Sequence, residues 1–455
     1  MQTDLRFRLP AAFGGRGAAN WLLRTFARQD RIGHSLRYDN RGRSMSLIGR
    51  GLVPLLLLLA VTALPRPATA ESLPCGQSCI FAEALATAQG ISHTGSRSDA
   101  LGPIAAAQGR ARLFAEALDT ARRIERDFTR ADALRQIAVE QGSPETLAEA
   151  LDTAQRIESQ HFRAHALGRI AAVQAQAGLF AEALDTARGI LAMGRGFEVD
   201  PSHAYALAQI AAAQGSPEIF AEALASAQGI SDGAQRAITL GLIAEEQARA
   251  GLFAEALGTA RGIEVDFSRA GALARIAAAQ AQAGHFAEAL AIARGIEVDL
   301  FHASALGQIA VAQGSPELFA EALAIAREIE RDVLRDDALG RIAAAQVQAG
   351  LFAEALATAR GIEGDGAVFS SGITLALRDM MIAAAQGSPE FFAEALAIAQ
   401  RLDDFSLGIV LREIAAAQAR AGLFAEALVT ARGIESDVDR AIALGDIAAS
   451  MTDAP

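Results

Sequence analysis

A glutamate occupies the same position in eleven short motifs along the chain, each an apolar residue followed by Phe-Ala-Glu-Ala-Leu or a close variant. Aligned carboxylates could bind a row of cations. A glutamate in the first turn of a helix, however, also stabilises that helix by about 0.3–1 kcal/mol. We interpret the row as helix-stabilising, with a cation ladder as the alternative. Its members are Glu83, Glu116, Glu149, Glu182, Glu222, Glu255, Glu288, Glu321, Glu354, Glu394 and Glu426.

Histidines offer a second candidate chemistry, because His161 and His165 are one helical turn apart and could bind zinc. Phe162 stands where a His-Glu-x-x-His site has its glutamate, and no third ligand is evident. The chain also lacks a Gly-x-Ser-x-Gly elbow and a phosphate-binding loop after a strand. We therefore predict no metal, no cofactor and no catalytic residue.

A row of basic residues recurs once per unit and is our candidate for lining a binding groove. In several units an aspartate stands three residues earlier, so the arginine could instead pair with that carboxylate. We favour pairing and keep groove lining as the alternative. The candidate residues are Arg130, Arg163, His203, Arg236, Arg269, His302 and Arg335.

The motifs also reveal the elements that carry these side chains. Successive motif starts are 33 residues apart, with two spacings of 40 and one of 32. Apolar residues recur at three- and four-residue steps on both sides of a glycine such as Gly178, which predicts two amphipathic helices per unit. We call them helix A and helix B, the latter carrying the glutamate. A unit of this size must stack on its neighbours to bury its apolar faces.

Two kinds of turn join helix A to helix B. One uses a glycine such as Gly178, and the other uses Gly-Ser-Pro-Glu, as at Gly142, in which Ser143 is a predicted N-cap. Ten units end helix A with a glutamine, for example Gln174, which we expect to hydrogen-bond exposed backbone at the turn. We also predict that helix A is N-capped by an aspartate in six units, namely Asp127, Asp200, Asp266, Asp299, Asp332 and Asp437.

The units resemble the tetratricopeptide repeat family through a Leu-x-x-Ile-Ala first helix, a glycine turn and then Phe-x-x-Ala-Leu. They depart from it in having 33 residues, no bulky aromatic in helix A and no regular proline ending helix B. The sequence thus predicts an all-α fold, a tetratricopeptide-like α-α superhelix or solenoid of about eleven stacked helical hairpins over residues 80–450. The resemblance implies a right-handed superhelix whose A helices line a concave groove for peptides or protein surfaces.

The N-terminal region has the layout of a secretory signal. Arg50 precedes an apolar run of 13 residues from Leu52 to Leu64, and Ala68-Thr69-Ala70 forms a cleavage pattern. The run is shorter than the ~20 residues that span a bilayer, so we predict cleavage and no stable membrane insertion. We assign residues 45–70 to the signal and 1–44 to a non-native or disordered leader, with Met45 as the true start. The alternative is one long signal or transit peptide.

Cys75 and Cys79 lie in a short segment, residues 71–79, after the predicted cleavage point. In a periplasmic or extracellular compartment they could form a local disulfide at the first end of the array. Free thiols and a lipid anchor are the alternatives. Residues 451–455 are expected to form a disordered tail.

The charge limits the partners. Residues 1–70 hold 11 Arg and 3 Asp, so the remaining chain has 30 basic and 50 acidic residues and a formal net charge of −20. Such a chain repels nucleic acid. We expect an exported, non-enzymatic scaffold that binds a protein or peptide through its groove. The alternatives are a passive spacer or envelope element, and an enzyme with a site in a divergent unit. The insertions at residues 191–201 and 364–373 could carry an individual function or be neutral scars of duplication.

Export predicts a specific mature N-terminus. Mass spectrometry of the protein from its native envelope should find a first residue at or near Glu71, because signal peptidase cleaves after small residues such as Ala68 and Ala70. An intact chain that begins before Met45 in the cytoplasm would contradict both the signal and the reassigned start.

Overall fold

The computed structural model describes residues 76–193, 200–362 and 404–451, together with Phe392, Ala393, Ala395, Leu396 and Ala399. The predicted leader, the signal, Cys75, the second insertion and residues 452–455 lie outside these residues. Every regular element within them is an α-helix. The predicted all-α fold of stacked helical hairpins is confirmed.

Helices A and B alternate along the chain, and we number the described ones α1 to α20. The A helices are α2 (Thr94–Arg110), α4 (Asp127–Gln141), α6 (Gln160–Gln176), α8 (Pro201–Gln214), α10 (Gly233–Arg249), α12 (Asp266–Gln282), α14 (Asp299–Gln313), α16 (Asp332–Gln348), α18 (Asp404–Arg420) and α20 (Asp437–Ser450). The B helices are α1 (Gln77–Gly90), α3 (Phe114–Arg122), α5 (Pro144–Gln155), α7 (Phe180–Met193), α9 (Pro217–Gln228), α11 (Phe253–Arg261), α13 (Phe286–Arg294), α15 (Pro316–Glu328), α17 (Phe352–Arg360) and α19 (Phe424–Arg432).

The turns within hairpins follow the predicted chemistry. Gly142 ends α4 in the left-handed region, with a φ of 64°, and Gly178 has a φ of 77° after α6. Ser143 caps α5 by accepting from the backbone N–H of Thr146, 3.1 Å away. Both kinds of turn therefore produce the same sharp reversal of the chain.

The first insertion begins as helix, because α7 continues to Met193.

The predicted aspartate N-caps are wrong at five of six positions. Asp200 does cap α8, accepting from Ser202 N at 2.8 Å. The other five aspartates are instead the first residue of their helix, where their charge still suits the helix dipole. Four of them form an ion pair with the arginine three residues later. These pairs are Asp127–Arg130, Asp266–Arg269, Asp332–Arg335 and Asp437–Arg440.

Helix A packs closely against the helix A of the next unit. Small residues at the contact make this possible, as at Gly307 of α14, where a Cβ would lie 3.5 Å from the Cβ of Ala345 on α16. The backbones of the described B helices approach those of A helices but not those of neighbouring B helices, which meet only through side chains such as Arg122 and Glu149. Since A helices lie closer together than B helices, the array curves toward the A side, and the A helices form its concave wall.

The two ends of the repeat array pack against each other. Helix α20, the last helix A, packs on α1, the first helix B, and also on α2, the first described helix A. Inside the array, a helix A likewise packs on the B helix of its own hairpin and on the next A helix. The last and first helices therefore combine into one hairpin built from both ends of the chain.

The closing junction repeats the bonds of internal junctions. Arg432 of α19 holds Glu83 of α1 at 2.8 and 3.0 Å, as Arg122 of α3 holds Glu149 of α5 at 2.9 and 2.8 Å. The side chain of Gln77 donates to the carbonyl of Ala448 at 3.0 Å, near the end of α20. One hydrophobic cluster includes core residues of both α1 and α20.

Packing also continues on both sides of residues 363–391. Ala359 of α17 shares a hydrophobic cluster with Phe392 and with Ile414 of α18. The described contacts thus form a complete cycle of hairpins, which we call the ring. The sequence predicts an open superhelix with the Cys-containing segment at its first end, whereas α20 already covers α1. Closure is a property that the repeat pattern did not predict.

One turn offers a stability test. Arg112 occupies the turn position that glycine fills elsewhere and has a φ of 60°, the one positive φ of a non-glycine among the described residues. We expect Arg112→Gly to raise the free energy of unfolding by about 1 kcal/mol, because a side chain in this region costs about that much. Gly178→Ala is the converse control and should lower it. Urea unfolding followed by circular dichroism measures both, and a loss of stability in Arg112→Gly would contradict the argument.

Ring closure predicts coupling between the chain ends. Deletion of residues 437–455 should make the amides of α1 exchange rapidly with solvent, because α20 is the A helix on which α1 packs. Amides of α9 to α12 should keep their protection. Hydrogen exchange with mass spectrometry compares the two regions. An open array would show loss of protection next to the deletion, in α18 and α19, and none in α1.

Candidate binding surface

The candidate arginine row lies at the junctions between units. Arg130 donates from Nη1 to the carbonyl of Ile124, 2.9 Å away and six residues earlier. The same bond recurs at Arg163, Arg236 and Arg269, with distances of 2.8 to 2.9 Å. Arg335 pairs with Asp332 at 2.7 Å. These guanidiniums therefore satisfy backbone or carboxylate groups between a helix B and the next helix A.

Histidine replaces arginine at two positions of this row. His203 is 2% exposed, and its Nδ1 lies 2.7 Å from the hydroxyl of Ser226. Burial lowers the pKa of both His203 and His302, which favours the uncharged form. None of the seven candidate residues lines the three cavities described below. Groove lining by this row stays a prediction without support from these contacts.

The described members of the glutamate row lie on the B helices, and Glu394 lies outside the described residues. Arg432 beside Glu83 lowers the pKa of that carboxyl, and Arg122 does the same to Glu149. These pairs connect successive B helices around the side of the ring opposite the A-helix wall. Within the described residues no group of three or more His, Cys, Asp or Glu side chains could hold a metal ion. His161 lies 3.4 Å from Asp200, while His165 borders a cavity.

Three members of the glutamine row connect the two helices of their hairpin. Gln247 accepts from the hydroxyl of Thr259 at 2.8 Å, and Gln346 and Gln418 accept from a threonine twelve residues later in the same way. The predicted bond of these side chains to turn backbone is therefore wrong in these units. A buried hydroxyl of helix B is the partner instead.

Only one of the two cysteines of the predicted disulfide lies among the described residues. Cys79 lies in α1 and is disulfide-bonded. Its predicted partner Cys75 lies outside the described residues, so that pairing stays a prediction.

Two larger cavities lie on the A-helix wall, the face of the A helices directed away from the B helices. The first has a volume of about 480 Å³ and lies on α4, α6 and α8. Its lining residues are Arg135, Val139, His165, Gly168, Arg169, Ala172, Val173, Gln176, Ser202, Tyr205 and Gln209. The second, about 400 Å³, lies on α10, α12, α14 and α16. It is lined by Glu245, Arg249, Gly271, Ala274, Arg275, Ala278, Ala279, Gln282, Phe301, Ser304, Gln308, Arg341, Ala344 and Gln348.

A shared carboxylate supports the floor of the first cavity. Asp132 on α4 accepts from Arg135 of the same helix at 2.9 Å and from Arg169 of α6 at 3.0 Å. Its second oxygen accepts from Gln136 at 3.0 Å. Burial, together with the charge of Arg135, lowers the pKa of Arg169. The two guanidiniums are thus fixed side by side by one aspartate.

The second cavity repeats this arrangement. Glu245 on α10 pairs with Arg249 of the same helix and with Arg275 of α12, the latter at 2.9 Å. Glu246 is also close to Arg249, at 3.1 Å, although burial raises the pKa of its carboxyl. Each cavity therefore has a carboxylate shared between two arginines of neighbouring A helices.

Aromatic pairs lie at the edge of both cavities. Phe128 stacks at an angle on Phe162, with ring centroids 5.3 Å apart, and lies 5.8 Å from the ring of His165 in the first cavity. Phe267 meets Phe301 of the second cavity edge to face at 4.8 Å. Phe162 and Phe267 are each about half exposed. These rings provide apolar surface beside the polar floors.

A third cavity of about 230 Å³ adjoins the first, with which it shares Val139, Val173 and Gln176. It extends toward the turn at Gly142 and is lined by apolar side chains such as Leu147 and Leu179. Together the two cavities give a polar floor with an apolar extension.

Sequence reasoning missed these wall residues because it followed what is common to all units. A usable signal lies immediately before the isoleucine of helix A, where otherwise similar units differ. That position holds Arg169, Gln209, Arg275, Gln308 and Arg341, all of which line the cavities. Variation within a repeat is typical of positions that packing does not fix.

Known proteins provide little further guidance. No protein-family model matches the chain, and no curated protein matches it. Among solved structures, one match is the crystal structure of Ton1535 from Thermococcus onnurineus NA1. It is 18% identical, covers 69% of this chain and 97% of its own, and has a TM-score of 0.26. Such a likeness carries no argument about function. Within the described residues no helix is long and apolar enough to cross a membrane.

Proposed function

We propose that the protein is an exported, non-enzymatic scaffold of tetratricopeptide-like repeats that binds an extended peptide segment of a partner on its A-helix wall. The observation that carries this proposal is the position of the cavities. The two larger ones are lined entirely by A-helix residues on the concave side of the ring. Concave, pre-formed surfaces with a few polar groups are the usual sites of ligand binding.

The side chains of the wall suit a polypeptide. Gln176 and Gln209 in the first cavity each provide both a hydrogen-bond donor and an acceptor, as a peptide group does. Val139 and Val173 supply apolar surface beside them, and Val139 is about half exposed. A peptide can thus satisfy its backbone groups while burying an apolar side chain.

Repetition of the wall favours a binder with several contacts. The first and second cavities lie on successive A helices of one ring and share the arginine–carboxylate arrangement. Weak contacts at neighbouring positions add through effective concentration. A passive spacer has no need of a wall with fixed guanidiniums and exposed amides.

A steric test separates a binder from a spacer. Ala278→Trp and Ala344→Trp place an indole in the second cavity, and Ala172→Trp does so in the first. Ala254→Trp is a matched control, because Ala254 is exposed on the B helix α11. We expect the wild type and Ala254→Trp to retain the same partners from envelope extract, while the wall variants lose them.

The readout is a quantitative pull-down at native salt with purified mature protein, after circular dichroism has shown that all variants are folded. If no partner is enriched over beads alone, or if the wall variants retain every partner, the wall is not the binding surface. A spacer role would then replace the proposal.

A further inference from the structure

The first cavity has a charge that its own residues do not balance. Its lining includes two arginines, Arg135 and Arg169, and no acidic residue. Asp132 lies beneath the guanidiniums and supplies the single carboxylate that they share. Two fixed positive charges against one negative charge leave a surplus of one, within a chain that is acidic overall.

The surplus is directed toward the cavity. The Arg135 side chain is 13% exposed and binds Asp132 through both Nε and Nη2. Its positive charge is therefore largely paired with Asp132 inside the wall. The Arg169 side chain is 44% exposed and contacts Asp132 through Nη1. A guanidinium has five N–H donors, so Arg169 retains donors for a ligand.

The other polar groups of the lining are neutral hydrogen-bonding groups. His165 also lines the cavity, and burial and Arg169 lower the pKa of its imidazole, which favours its neutral form. The hydroxyl of Tyr205 and the amide of Gln209 add neutral hydrogen-bonding groups. No carboxylate lines the cavity, and the one behind Tyr205 and Gln209 is Glu246 of α10, which accepts a hydrogen bond from Gln209. Burial, together with the charge of Glu246, raises the pKa of Tyr205.

From this geometry, and resting on the proposed function, we infer that the first cavity selects a peptide segment by one acidic side chain, whose carboxylate binds Arg169 beside Tyr205 and Gln209. The apolar side chain next to it in the peptide packs on Val139 and Val173. Asp132 is a positioning residue that holds the two guanidiniums side by side and competes with the ligand for their charge.

A single carboxylate matches the site better than a polyanion does. The surplus is one charge, whereas the chain after residue 70 has a formal net charge of −20 that repels a polymer of many negative charges. At physiological salt the acidic groups farther away than about 8 Å are screened. The guanidinium of Arg169 therefore dominates the electrostatic interaction with a single ligand carboxylate.

The test uses two capped eight-residue peptides, acetylated and amidated so that no terminal charge remains. Their sequences share leucines and differ at one central position, which is glutamate in the first peptide and glutamine in the second. Both carry a fluorophore, and anisotropy gives their dissociation constants for the mature protein at ~0.15 M salt. We expect the glutamate peptide to bind about ten-fold more tightly, since a hydrogen bond to a charged group is stronger than a neutral one.

Three variants test whether Arg169 and Asp132 determine the preference for the glutamate peptide. Arg169→Gln should remove it, Arg169→Lys should retain part of it, and Asp132→Asn should strengthen binding of the glutamate peptide several-fold, because the competing carboxylate is gone. Arg123→Gln is the matched control. Arg123 lies on the far side at the end of α3, and its side chain is 46% exposed, close to the value for Arg169.

Two kinds of result overturn the inference. Equal affinity for the glutamate and glutamine peptides, or a glutamate preference that survives Arg169→Gln, shows that the cavity does not select a carboxylate. If both peptides bind equally and Ala172→Trp blocks them, the peptide-binding wall stands while the acidic selectivity fails. If neither peptide binds up to about 1 mM, this inference fails, and the pull-down with wall variants decides the proposed function separately.

Discussion

Close packing of each helix A against the next is the interaction on which the rest of the structure depends. Alanine and glycine on these faces bring the A helices together, while the backbones of the described B helices lie close only to those of A helices. Because one layer is more closely spaced than the other, the array bends toward the A side. The same bend returns α20 to α1 and creates the concave wall on which the larger cavities lie.

Closure changes what the ends of a repeat protein require. Terminal repeats of an open array normally need a polar outer face, because no neighbour covers them. Here α20 and α1 cover each other, and Arg432 with Glu83 repeats an ion pair found between internal units. A segment that caps the first end is therefore not needed to shield α1. The disulfide at Cys79 lies in the helix that completes the ring.

Repeated positions and varied positions have different roles in this ring. The candidate arginines recur because the junctions need similar hydrogen bonds, as Arg130 shows at Ile124, and three members of the glutamine row bond a threonine of helix B, as Gln247 does at Thr259. The wall residues differ from unit to unit, as Arg169, Gln209 and Arg275 do in the same register. A peptide on the wall would therefore meet a different set of side chains at each helix, which is how a uniform scaffold can have selectivity.

The sequence by itself determined the hairpins, because periodicity, glycine turns and Ser-Pro caps are local signals that act within about ten residues. It also located the arginine and glutamine rows, although it misplaced most aspartate caps, since the partner of Asp127 is the side chain of Arg130 and not the backbone. Only the tertiary structure decided closure and the A-helix wall with its cavities. Closure depends on a small bend that is summed over all junctions. The cavity cluster joins side chains of two helices, namely Arg135, Asp132 and Arg169, through packing that no single unit encodes.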